Sequence, residues 1–196
     1  MDERLLERWL EEVVATPGLT ALPTVDAARP VLLDDALRAV PLLEGTDGPV
    51  IDVGSGGGSP GIPLAVAYPD LALTLLEAER RKADALARLA RDVPNVQVVW
   101  GRAEEQAVDV YEIALAKALA PPPVAAELTL PLVRTRGVAI LWVGETADRE
   151  RVARVAARVG AELEREHDGL LVLRKLAPTP PGFPRRPGMA KKRPLG

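Results

Sequence analysis

The chain has 196 residues, of which 47% are hydrophobic and only 3% aromatic, with no cysteine and one histidine. That length suits one ordinary core built mainly from Leu, Val and Ala, and the lack of cysteine excludes disulfides and Cys-ligated zinc or iron–sulfur sites. The net charge of −3 hides a split: seven basic residues and no acid follow Asp168, so 28 acids face only 18 bases in the rest of the chain. A basic terminal segment on an acidic body suits a polyanionic partner. No apolar run reaches the roughly 18 residues of a membrane span. The charged start, Met1-Asp2-Glu3-Arg4, lacks the apolar centre of a signal peptide. A cytoplasmic protein that makes no membrane contact is therefore expected.

Residues 3–15 place Leu5, Leu6, Trp9, Leu10, Val13 and Val14 on one helical face, and Thr16-Pro17-Gly18 ends that helix. A second helix is expected over Val31–Leu43, with Asp34 and Asp35 near its start. Strands and helices then alternate. The expected strands are Val50–Val53, Leu71–Glu77, Val96–Trp100, Ile113–Ala116 and Val138–Val143. Helices are expected at Gly61–Tyr68, Glu79–Asp92, Val124–Val133 and Asp148–Val159. A closing pair of strands, Ala161–Glu166 and Leu170–Leu176, flanks the turn at His167-Asp168-Gly169. From Pro178 onward the chain is Pro-rich and shows neither helical nor strand period. This order predicts an α/β fold, with a mostly parallel, doubly wound sheet and a C-terminal antiparallel pair. It divides into an N-terminal helical extension (1–46), a Rossmann-like core (47–177) and a basic tail (178–196).

The most informative segment is Val50-Ile51-Asp52-Val53-Gly54-Ser55-Gly56-Gly57-Gly58-Ser59-Pro60-Gly61, an apolar strand entering a glycine-rich turn. In open α/β sheets such a turn, at the carboxyl ends of the strands, holds the ligand. A triphosphate-binding loop requires a Gly-Lys-Ser/Thr that is absent. A dinucleotide fold requires G-x-G-x-x-G, and here Ser59 and Pro60 follow Gly54-x-Gly56. Asp52 beside the loop disfavours a pyrophosphate and suits a cation. S-adenosyl-L-methionine, with a sulfonium, an ammonium and no phosphate, fits better. Glu77 closes the second strand, where a carboxylate accepts ribose hydroxyls.

Three blocks carry a resemblance. They are Asp52 to Ala65, with Pro60-Gly61-Ile62-Pro63 after the glycines; Leu75-Leu76-Glu77 with Arg81-Lys82, Asn95-Val96 and Arg102-Ala103-Glu104-Glu105; and the tail Phe183-Pro184-Arg185-Arg186 to Leu195. In these the chain resembles the RsmG (GidB) methyltransferases. The resemblance implies a class I, S-adenosylmethionine-dependent fold and methyl transfer to N7 of a guanine in 16S rRNA, by convention position 527 in the helix-18 region. It implies cofactor contacts at Gly54, Ser59, Ala103, Glu104 and Lys117, which stands where the family usually carries Arg. Asp52, Gly56, Gly58 and Glu77 complete the expected cofactor set. Lys117, Phe183, Arg185, Arg186, Lys191, Lys192 and Arg193 are the expected RNA contacts.

Guanine N7 carries a free lone pair on the major-groove edge, so no catalytic acid or base and no metal is expected, and His167 is read as structural. A monomer acting on 16S rRNA or the 30S subunit is expected. Loss of residues 183–196 is expected to abolish RNA methylation and to spare cofactor affinity. The alternatives are a class I methyltransferase of another RNA or of a small molecule, and a non-catalytic RNA-binding, ribosome-associated module.

Overall fold

The computed structural model describes residues 1–195. The first helix, α1 (Glu3–Ala15), is capped by Asp2, whose carboxylate accepts from the Leu5 N–H. Residues 25–43 form the short helices α2 (Val25–Ala28), α3 (Asp35–Leu37) and α4 (Val40–Leu43), with a wide π turn over Arg29–Asp34. The expected single helix over Val31–Leu43 is thus broken. It begins six residues early, and Pro30, which has no N–H to give, interrupts the α ladder.

Seven strands follow: β1 (Val50–Val53), β2 (Leu73–Glu77), β3 (Val96–Trp100), β4 (Tyr111–Ala116), β5 (Val133–Trp142), β6 (Ala161–His167) and β7 (Leu170–Lys175). Helices α5 (Gly61–Ala67), α6 (Arg80–Leu89), α7 (Pro122–Thr129) and α8 (Arg149–Arg158) alternate with them, and α9 (Met189–Lys192) lies in the tail. The sheet order is β3-β2-β1-β4-β5-β7-β6. The pairs among β1 to β5 are parallel, and β7 runs antiparallel to both β5 and β6. Chain order reverses between β1 and β4, which is the switch point where such sheets open a ligand crevice.

The two-residue side-chain period of the strands splits the core into two layers. Val50, Leu73, Leu75, Ile113, Leu115, Val138 and Ile140 meet α1, the 25–43 segment, α5 and α6. Ile51, Val53, Leu76, Ala114, Ala139, Leu141, Leu171 and Leu173 meet α7, α8 and α9.

Three further expectations are corrected. The strand expected from Val138 begins at Val133, because its first turn of chain, Arg134-Thr135-Arg136, is exposed and polar and carries no apolar signal. The expected helix over Val124–Val133 gives way to a 3-10 turn at Leu130–Leu132 and then to β5 itself. The tail, expected to be without period, folds back on the second layer: Phe183 and Leu195 pack against it and Ala190 is buried.

Candidate functional site

Beyond the carboxyl ends of β1, β2 and β4 lies a cavity of about 750 Å³, within the range of small-molecule sites. The loop between β1 and α5 is its floor. Gly54 and Gly58 carry φ of 77° and 98° there, and a Cβ at either would stand 2.5 Å from a side-chain carbon, Leu119 Cδ1 or Ile62 Cδ1. Only glycine fits both demands.

The hydrogen bonds of this loop decide what it can hold. The N–H groups of Gly54 and Ser55 both donate to Leu76 O, at 2.8 and 3.1 Å, and that of Gly58 donates to Ser55 O at 2.7 Å. Gly56 N–H donates to Glu77 Oε2 at 3.0 Å, and Gly61 N–H to Asp52 Oδ2 at 3.1 Å. These donors are spent inside the protein, so they do not form the fan of free N–H groups that grips a pyrophosphate. Glu77 lies against the cavity. Its Oε1 accepts from Glu79 N–H at 2.8 Å, and each carboxylate oxygen retains a lone pair for a further donor.

Of the expected cofactor residues, Gly54, Gly56, Ser59, Glu77, Ala103, Glu104 and Lys117 line this one cavity, while Asp52 and Gly58 do not. Asp52 is only 1% exposed and turns under the loop. Its Oδ1 is buried and has no hydrogen-bond partner. Burial pushes its carboxyl up to about 7, against the pull of the Gly61 N–H bond and of the Lys117 charge. The side chain expected to face the ligand therefore braces the floor instead. Ser59 Oγ is spent on Leu32 O at 2.6 Å.

Lys117, at the end of β4, donates from Nζ to Val31 O at 2.7 Å and lies 3.3 Å from an Asp35 carboxylate oxygen. It touches the cavity but is tied to the N-terminal segment. Trp9 Nε1 makes a matching tie, to Gly57 O at 2.9 Å.

The expected RNA contacts divide. Arg186, Lys191, Lys192 and Arg193 are exposed. Arg185 is not free for a phosphate: Nε and Nη2 form a two-pronged bond, 2.5 and 2.7 Å long, with the carboxylate of Glu127 on α7. Phe183 is not free to stack on a base, because it packs on the second layer. Glu104 Oε1 accepts from Gly188 N–H at 2.8 Å, and Gly188, Ala190 and Lys191 complete the cavity wall. Removal of residues 183–196 would therefore strip part of this cavity's wall as well, which runs against the expectation that it spares affinity. Val13, Leu19, Leu32 and Leu119 also line the cavity without having been foreseen. The contact of the first three requires the N-terminal segment to fold over the sheet, which local pattern does not encode.

This fold, with a ligand cavity at the switch point, a glycine floor most of whose donors are spent and a carboxylate ending β2, defines a class I S-adenosylmethionine-dependent methyltransferase. The solved structures it resembles share that architecture. A T. thermophilus 16S rRNA methyltransferase in complex with AdoMet and guanosine superposes with a TM-score of 0.54 at 20% identity, over 76% of this chain and 40% of that one. TYW2 of M. jannaschii, in complex with AdoMet, superposes at 0.52 with 18% identity, over 69% and 70%. Residues 4–167 match the family GidB, rRNA small subunit methyltransferase G, and the chain belongs to that family.

Relatives named ribosomal RNA small subunit methyltransferase G agree. The protein from Synechococcus sp. (strain JA-2-3B'a(2-13)) is 39% identical over 74% of this chain, a match spanning 64% of its own length. That of Pelotomaculum thermopropionicum is 36% identical over 81% of this chain and 74% of its own length. That of Carboxydothermus hydrogenoformans is 30% identical over 98% and 91%.

Proposed function

We propose that the chain transfers the methyl group of S-adenosyl-L-methionine to N7 of a guanine in 16S rRNA, the helix-18 guanine that the family modifies. The observation that carries this reading is the pairing of a glycine floor, most of whose donors are spent, with the Glu77 carboxylate, beside a tail that brings Lys191 to the cavity wall.

The residues fit the cofactor. The carboxylate of Glu77 suits two ribose hydroxyls, which supply the donors its remaining lone pairs can take. Ala103 and Glu104 form the wall that would meet the adenine. A floor free of cationic side chains, with the N–H groups of Gly54, Ser55, Gly56 and Gly58 already spent, tolerates a sulfonium and an ammonium better than it holds a phosphate. When bound, the cofactor supplies an electrophilic methyl group.

The protein then has little covalent chemistry to perform. Guanine N7 already presents its lone pair, so no group of the chain must remove a proton before attack. What the chain contributes is alignment and exclusion of water. The apolar walls from Val13, Leu19, Leu32 and Leu119 do the second. Lys191 at the wall and exposed Arg186, Lys192 and Arg193 on the tail hold phosphates and set the register of the RNA without reading its sequence. The chain acts as a monomer, in the cytoplasm where ribosomal subunits are assembled.

The decisive experiment incubates the protein and labelled S-adenosyl-L-methionine with unmodified 30S subunits and with naked 16S rRNA, then maps methylated nucleotides by mass spectrometry. A single N7-methylguanine in helix 18 is expected. Label on another nucleotide, or only on small molecules, overturns the assignment.

A further inference from the structure

We infer that Trp100 and Arg80 form a stacking platform for an unpaired RNA base at the rim of the cavity, an inference that rests on the RNA-methyltransferase reading above. Of the six aromatic side chains, Trp100 alone is strongly exposed, at 57%; Trp9, Tyr68, Tyr111, Trp142 and Phe183 are buried or half-buried. An indole left in water at the end of a strand gains nothing for the fold from most of its surface. Yet this one is held in place. Its Nε1 donates to Ala78 O at 3.1 Å, and the Arg80 guanidinium lies 4.7 Å from the ring centroid. Arg80 is itself oriented by Asp84, through a 3.0 Å bond from its Nε. The result is a planar cation layered on a planar ring, with Arg80 63% exposed.

The position is specific. Trp100 is the last residue of β3 and lies in register with Glu77 on β2. Ala78, which holds the indole, and Gly101, which follows it, both line the cavity. A base on this platform would therefore adjoin the methyl-transfer site without entering it.

The surroundings select the partner. Arg81, Lys82 and Arg102 neighbour the platform in the chain, on α6 and after β3; Lys82 pairs with Glu79 at 3.1 Å and Arg81 donates to Pro17 O, and among the described residues Arg81 and Arg102 make no ion pair. A hydrophobic protein partner would want apolar neighbours here. Cationic neighbours around a flat π surface suit phosphates on either side of a nucleobase. Because a base in a duplex is already stacked, the occupant is a single-stranded or looped nucleotide. Neither Phe183 nor Arg185 competes for this role, since the fold has spent both.

The test compares the wild-type protein with Trp100→Ala, Arg80→Ala and Trp100→Phe. Titration with naked 16S rRNA should quench tryptophan fluorescence in the wild type, and the quench should be lost in Trp100→Phe, which keeps only Trp9 and Trp142. On unmodified 30S subunits, Trp100→Ala should raise KM for the RNA substrate about 10-fold, the scale of one lost base stack. Its affinity for S-adenosyl-L-methionine, by calorimetry, should be unchanged, and Trp100→Phe should recover most of the loss. Equal quenching in wild type and Trp100→Phe, or an unaltered KM in Trp100→Ala, overturns the platform. Loss of 30S binding in Trp100→Ala without any quench by naked RNA makes the occupant a protein and also overturns it. Quenching by RNA without methyl transfer keeps the platform and sinks the reaction assigned above.

Discussion

The ion pair between Arg185 and Glu127 makes a sharp prediction about how the tail is held. The Glu127 side chain is 2% exposed and Arg185 is 21% exposed, so the two sides of the pair differ in what their loss leaves behind. Arg185→Met strands a carboxylate in the second core layer, at a cost of about 3–5 kcal/mol. Glu127→Gln keeps an acceptor facing a guanidinium that also donates to Arg193 O at 2.9 Å and reaches solvent, and should cost about 1–2 kcal/mol. In the double variant no buried charge remains unpaired, so it should be more stable than Arg185→Met alone by about 1–2 kcal/mol, although it carries one more substitution.

Urea unfolding with a common slope gives the three values. Calorimetry with S-adenosyl-L-methionine reads the same event at the cavity, whose wall includes Gly188, Ala190 and Lys191. Arg185→Met should weaken cofactor binding by releasing that wall. Additive costs in the double variant, or a cost below about 1 kcal/mol for Arg185→Met, would refute the claim that a buried pair anchors the tail.

Three further outcomes are expected. Glu77→Ala should weaken S-adenosyl-L-methionine binding by about 10-fold or more, the worth of a charged acceptor lost from two hydroxyls, and calorimetry showing unaltered affinity would remove Glu77 from the ribose role. Asp52 is ordinarily near 3.8 and is pushed up to about 7 in the fold, so the native state keeps a proton that the unfolded chain has released. Stability should thus fall by about 4 kcal/mol as pH rises from 4 to 8 on account of this group. The difference between wild type and Asp52→Asn in urea unfolding should follow that slope, and parallel profiles would exclude it. Lys117→Ala removes the tie to Val31 O and Asp35, at a cost of about 1–3 kcal/mol, and should speed proteolysis within residues 25–43. Cleavage rates matching the wild type would show that the tie holds nothing.

The order of strands was legible because each buried strand is a short apolar run set between turn signals, and β3 was bounded correctly at both ends. The start of β5 was not, because Arg134-Thr135-Arg136 is exposed and spans the register shift between the Tyr111–Val133 and Ile113–Val138 pairs, which hydropathy does not register. Gly54, Gly56 and Glu77 could be gathered into one site from sequence, since each ends or follows a strand, and Ser59 and Lys117 joined them through the family resemblance. The direction of Asp52 could not be, because its choice between the ligand and Gly61 N–H depends on how the loop folds back over it. The tail misled for a different reason. Arg185 reads as a free cation until Glu127, 58 residues earlier on a different helix, is brought beside it. Trp100 gave no signal at all, because exposure is a property of the fold and not of the letter.

The floor of the cavity is wired by its own main chain, and its walls come from remote parts of the sequence. Val13 on one side and Ala190 on the other make none of the bonds that shape the loop. Tolerance to change should follow that split. Efforts to make this scaffold accept donors with bulkier transferable groups should randomise the walls, where space is set by removable side chains. Substitutions in the floor would disturb the scaffold long before they altered its appetite.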